Sequence, residues 1–137
     1  MFPLIFSTLL TGSTFIPQEG RITVTIEGIT VNSGILMIGL FDNPEDFTVK
    51  PLKFFMEPVR DTGSVTVTFE NVRYGNYAVS VYQDKNKNGK LDKNRLGMPV
   101  EPYGFSNNPR IITGPSYDRS SFELNDREMK LSIRLYE

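Results

Sequence analysis

The 137-residue chain sets 15 Lys and Arg against 16 Asp and Glu, a formal net charge of −1, with 39% hydrophobic residues. That length suits one domain with a sizeable core, and the charge balance excludes a broadly basic nucleic-acid binder, which needs surplus cations to displace phosphate counterions. The chain has no cysteine and no histidine, which excludes disulfides, thiolate nucleophiles, Cys or His metal centres and imidazole general bases.

Residues 2–10 form a short apolar run, followed by small polar residues at 11–14. This pattern resembles a secretory leader and its cleavage region, although no Lys or Arg precedes Arg21. The run falls short of the ~20 apolar residues that cross a bilayer, so no transmembrane segment is expected. A first strand or a loose tail are the other readings. On the leader reading the chain divides into residues 1–19 and a domain over 20–137, placed outside the cytoplasm.

The domain itself reads as all-β. A single alanine, Ala78, stands against ten valines, ten isoleucines and eleven threonines. Alanine leads the helix-propensity ranking, and β-branched residues fit a pleated, half-buried surface. Along residues 21–27 the apolar Ile22, Val24 and Ile26 alternate with polar neighbours, the period of a half-buried strand. Residues 34–41 are apolar throughout, as a strand covered on both faces would be. Residues 51–59 hold another strand around Phe54 and Phe55. Residues 64–70 alternate again after a turn at Asp61-Thr62-Gly63, and residues 77–82 follow Tyr74-Gly75-Asn76. Two last segments cover residues 120–124 and 129–135. About seven short strands at near-regular spacing predict a single antiparallel β-sandwich of immunoglobulin-like or transthyretin-like type. The irregular stretch from Asp84 to Pro115 exceeds the ~12–15 residues of ordinary loops. It is expected to be ordered, and to carry the function.

Two motifs lie in that stretch. Asp84-Lys85-Asn86-Lys87-Asn88-Gly89-Lys90-Leu91-Asp92 matches the first half of a calcium loop. Oxygen-bearing side chains at alternate positions can all turn toward one hard cation, and Gly89 permits the sharp bend. The candidate ligands are Asp84, Asn86, Asn88, the backbone carbonyl of Lys90, and Asp92. The twelfth position is Arg95 and not a glutamate, which excludes an EF-hand. Five cations at residues 84–95 oppose the ion, so any affinity falls in the weak range of about 10⁻⁴–10⁻³ M. The alternative is that Asn, Asp and Gly supply turn geometry alone. The second motif places Tyr103 and Phe105 beside Asn107 and Asn108. Such aromatics either form a stacking platform for sugars or peptides, or plug the end of the sandwich.

Carboxylates alone could also carry acid–base chemistry. Asp84, Asp92 and Glu101 would serve a glycoside hydrolase if held ~5–9.5 Å apart in a cleft. A small sandwich offers little cleft, so an enzyme is not expected.

From Gly75 to Asn108 the chain resembles a bacterial family known as domain of unknown function 2141. The residues that carry the likeness are Gly75-Asn76-Tyr77-Ala78, Asp84, Asn86, Asn88-Gly89, Leu91-Asp92, Asn94, Gly97, Pro99, Glu101 and the run Tyr103-Gly104-Phe105-Ser106-Asn107-Asn108. A second, local likeness of Asp84 to Gly89 is to the calcium-binding loops of bacterial surface adhesin repeats. The family resemblance implies a small exported sandwich and brings no activity or catalytic residue. The resulting expectation is a non-catalytic extracytoplasmic β-sandwich that binds or supports a cell-envelope protein or glycan, with calcium as the only candidate cofactor. The alternatives are a carbohydrate- or peptide-binding domain using Tyr103, Phe105, Asn107 and Asn108, and a carboxylate hydrolase.

Overall fold

The computed structural model describes residues 18–136. The leader reading falls on residues 1–17 and so lies outside the described residues. In chain order the elements are β1 (Glu19–Ile29), β2 (Ile35–Phe41), β3 (Lys53–Pro58), β4 (Gly63–Arg73), β5 (Gly75–Asp84), β6 (Tyr103–Phe105), the one-turn helix α1 (Tyr117–Ser120), β7 (Phe122–Leu124) and β8 (Glu128–Arg134). One sheet runs β4-β1-β8. The other runs β3-β2-β5-β6, with β7 paired to the start of β5.

Period-two patterning builds the main core. Ile22, Val24 and Ile26 of β1 face Leu36, Ile38 and Leu40 of β2, joined by Val79, Val81 and Ile133, and all are essentially inaccessible. The polar face of β1 has its own cross-strand pairing with β4. The Thr23 and Thr68 hydroxyls lie 3.2 Å apart, and those of Thr25 and Thr66 lie 3.1 Å apart. Such facing pairs add to sheet stability and pin the register.

The apolar β2 is covered along its whole inner face, but on its outer face only toward its end, where Gly39 and Phe41 are buried while Ile35 and Met37 stay half-buried. Its outer face meets a second, aromatic core formed by Phe41, Phe47, Ala78 and Phe105, with Tyr103, Ile111 and Tyr117 packed against them. Phe47 is the hub, with ring centroids 5.3 Å from Phe41, 5.7 Å from Phe105 and 5.7 Å from Tyr117. The lone alanine is 0% exposed under these rings.

Two features depart from the sequence reading. Most ladders are antiparallel, but β8 pairs with β1 in parallel, Ile22 opposite Met129 through Glu27 opposite Arg134. The chain leaves the second sheet at β7 and returns to the first running in the same direction as β1. The eighth strand is β6, a three-residue segment inside the stretch expected to be irregular. Its Tyr-Gly-Phe is too short to show a period. The glycine is needed because a Cβ at Gly104 would lie 2.7 Å from Ile133 Cγ2 and 2.8 Å from the Arg134 carbonyl oxygen.

Candidate functional site

The stretch between β5 and β6 folds into two parts: a turn over residues 84–91 and a hairpin-like arm over residues 92–100. Three acids hold the turn and the base of the arm. Asp84, 2% exposed, ends β5 and accepts hydrogen bonds from the backbone N–H of Asn88 (3.2 Å) and Gly89 (2.7 Å). Gly89 takes φ +77°, the left-handed conformation that the bend demands. Asp92 accepts from the side-chain amides of Asn86 (2.5 Å) and Asn88 (2.7 Å). Glu101, 5% exposed, accepts from the backbone N–H of Lys85 (2.6 Å) and of Asp92 (2.9 Å), tying the base of the turn to the start of β6. Every carboxylate oxygen of the three thus accepts an N–H bond.

The electrostatics follow from these bonds. Donation by Asn88 and then Asn86 holds the Asp92 carboxyl below its ordinary range. Tyr82 donates its hydroxyl to the Gly89 carbonyl (3.2 Å). Burial, followed by the nearby charges of Asp84 and Glu101, pushes its phenol up. The bonding uses the Asn86 and Asn88 oxygens locally: Asn86 Oδ1 accepts from the Asn88 N–H (3.3 Å) and Asn88 Oδ1 from the Lys90 N–H (3.0 Å). Among the described residues no group of three or more acidic side chains is arranged to hold a metal. A cation here would have to draw on Asp84, Asp92 and the Lys90 carbonyl, with the Asn86 and Asn88 amides turned about.

The arm is a second hydrogen-bonded unit. Val100 N–H donates to the Asp92 carbonyl (2.9 Å) and Asn94 N–H to the Met98 carbonyl (2.8 Å). The Asn94 side-chain oxygen accepts from Leu96 and Met98 N–H at 2.9 and 3.1 Å. The arm exposes apolar side chains, Leu96 at 88% and Met98 at 59% toward its tip and Val100 at 57% at its base. Between the arm and the segment at residues 111–115 lies a cleft of about 300 Å³, lined by Leu91, Met98, Tyr103, Phe105, Ile111 and Ile112 among others. A larger hollow of about 490 Å³ near the start of β1 is lined chiefly by charged side chains, including Glu19, Arg21, Glu70 and Arg127.

The second motif lies at the cleft floor and is largely built into the fold. Phe105 is 5% exposed and packs in the aromatic core, so it presents no open ring face. Tyr103 is half-buried, its ring 6.0 Å from Phe105 and 6.1 Å from Tyr136. Asn107 and Asn108 adopt φ of +69° and +47°, which asparagine tolerates better than most residues. The Asn107 amide donates to the Arg119 and Ser121 carbonyls at 3.2 and 2.8 Å. Asn108 donates to the Ser132 carbonyl (3.0 Å) and accepts from Arg134 N–H (2.8 Å). Between them and Phe105, the buried Ser106 hydroxyl accepts from Val79 N–H (2.9 Å) and donates to the Ser120 carbonyl (2.5 Å). The structural weight of Glu101 and Ser106 was not evident from spacing, since each acts on residues distant in sequence.

The family model described as "Uncharacterized protein conserved in bacteria (DUF2141)" matches residues 24–132, most of the chain. No curated protein and no solved structure matches it. The chain belongs to this bacterial family.

Proposed function

With family membership as the premise, we propose that the chain is a non-catalytic binding module working outside the cytoplasm, and that its binding face is the arm over residues 92–100 with the adjoining cleft. One observation carries the reading. The arm is ordered by its own bonds, Asn94 to Leu96 and Met98 and Val100 to Asp92, and is anchored at its base where Glu101 holds the Asp92 N–H, yet it leaves Leu96, Met98 and Val100 in solvent. A pre-ordered loop saves the entropy of immobilisation on binding, and clustered exposed apolar side chains mark contact surfaces. The partner class that fits is a protein or peptide of the cell envelope that inserts an apolar side chain into the cleft. A glycan fits less well, because the buried Phe105 offers no stacking face. The extracytoplasmic placement rests on the apolar run at residues 2–10. The non-catalytic reading rests on carboxylates that are engaged as acceptors, with Asp92 held more acidic rather than poised as a proton donor.

Peptides selected from a random display library on the immobilised protein should be rich in apolar residues. Their binding should fall at least about tenfold on Met98→Asp or Ile112→Asp, because a buried charge is costly, while the melting temperature stays unchanged. Peptides indifferent to both changes would overturn this choice of face.

Calcium enters as a second, weaker element of the proposal, held by Asp84, Asn86, Asn88, the Lys90 carbonyl and Asp92. What favours it is the buried Asp84 beside Gly89, with Asp92 kept ionised across the turn. At ten times a dissociation constant of about 10⁻³ M, binding would stabilise the fold by about 1.4 kcal/mol. A melt in 10 mM calcium against EDTA should then rise by roughly 4–6 °C, and Asp84→Ala should abolish the rise. An unchanged melt would reduce the motif to turn chemistry.

A further inference from the structure

The two edges of the β3-β2-β5-β6 sheet are finished differently. On one side Tyr136 closes β6, with Tyr103 N–H to the Tyr136 carbonyl at 3.0 Å and Tyr136 N–H to the Tyr103 carbonyl at 2.7 Å. On the other side no strand among the described residues pairs with the outer edge of β3. Edge strands are usually blunted by charges, Pro or bulges. Here Lys53, Glu57 and Pro58 stand only at the ends of β3, and between them the exposed side chains are Phe54 (61% exposed) and Met56 (55%).

The hydrogen-bond phase of β3 can be worked out. Val59 N–H donates to the Gly34 carbonyl (3.0 Å), continuing the register in which Phe55 lies opposite Ile38 and Lys53 opposite Leu40. In an antiparallel ladder bonded pairs alternate, so Lys53, Phe55 and Glu57 direct their main-chain groups at β2. Phe54 and Met56 direct theirs outward. Pro58, next in that outward set, has no N–H.

The strand Lys53-Phe54-Phe55-Met56-Glu57 is also self-complementary about Phe55. Turned by a two-fold axis onto a second copy, Lys53 falls opposite Glu57, Phe54 opposite Met56, and Phe55 opposite itself. The pairs that this symmetry would bond, Phe54 with Met56 in both directions, are the two residues whose N–H and C=O point away from β2 and meet no partner among the described residues. Lys53 and Glu57 would form close, non-bonded cross-strand pairs of opposite charge at both ends. The Lys53 ammonium already donates to the carbonyls of Glu70 (2.6 Å) and Asn71 (3.3 Å), which leaves its third N–H for a carboxylate. Glu57 has no cation of its own, since the ion pairs of the described residues join Arg21 and Lys130 to Glu128.

We propose that the chain forms a two-fold dimer by antiparallel pairing of β3 with β3 of a second copy, centred on Phe55 and carried by four main-chain hydrogen bonds and two Lys53–Glu57 pairs. The pairing is isologous and therefore closes at two copies. Pro58 ends the ladder, so it does not extend further. With so few contacts the interface belongs to the class below about 1,200 Å² that associates weakly.

Sedimentation equilibrium on the full chain tests this. Between about 1 and 500 µM the mass should rise from 15.6 kDa toward twice that value. Lys53→Glu and Glu57→Lys should each weaken self-association at least about tenfold, because like charges then face each other at both ends. Mixing the two variants in equal amounts should restore the dimer, since every facing pair becomes opposite in charge. Phe54→Lys, at a position more than half exposed, should give a folded monomer even if Lys53→Glu fails to fold. Exchange of the Phe54 and Met56 amides should slow as concentration rises. A monomer throughout, or a dimer indifferent to Glu57→Lys and Phe54→Lys, would overturn the proposal.

Discussion

The inter-sheet core and the loop over residues 84–108 are neighbours held by different forces. In the core, aliphatic side chains such as Ile22, Val24, Leu36 and Leu40 are 0% exposed and make no use of charge. Their contribution is burial, roughly 25 cal/mol per Å² of apolar surface. The loop has few deeply buried apolar groups and instead directs the carboxylates of Asp84, Asp92 and Glu101 at N–H donors. One region therefore responds to volume and the other to the loss of a hydrogen-bond acceptor, and a change that loosens the loop can leave the sandwich intact.

The largest effect should come from the core. Phe69, 2% exposed with its ring 4.9 Å from that of Phe55, joins the two sheets. Phe69→Ala should cost about 3–5 kcal/mol through lost transfer energy and a residual cavity, read as a lower denaturant midpoint. Loop and sheet amides should lose protection together.

An intermediate effect is expected at Glu101. Glu101→Ala leaves the Lys85 and Asp92 N–H groups without their acceptor, a loss of about 1–3 kcal/mol. Amide exchange should accelerate at residues 85 and 92 and stay unchanged at Val24 and Leu40. If the sheet amides accelerated equally, the loop would not be a separable unit.

The smallest effect is the pH response of Asp92. Its carboxyl is held below the ordinary value of 3.8, chiefly by the Asn88 and Asn86 amides. A lowered folded-state value means that the unfolded chain takes up the proton first. The stabilisation is therefore complete above the ordinary value and is lost as pH falls through the folded one. The Asn86 and Asn88 side-chain amide resonances should shift below about pH 4, and Asp92→Asn should remove that dependence. An Asp92 carboxyl that titrates in the folded chain at its ordinary value would show that these amides do not hold it.

The sequence alone determined the β class, the inward faces of β1, β2 and β4, and the sharp bend at Gly89. Each is written in local periodicity or in the conformational preference of a single residue, so neighbours along the chain suffice to read it. Tertiary structure alone decided that β8 runs parallel to β1, because a ladder's direction depends on where a distant strand returns. It alone decided that Tyr-Gly-Phe is a strand, since only the approach of Ile133 and Arg134 explains Gly104. The roles of Glu101, Ser106, Asn107 and Asn108 also waited on the fold. Their partners lie 9 to 27 residues away, and a hydrogen bond across that distance leaves no period in the chain that makes it.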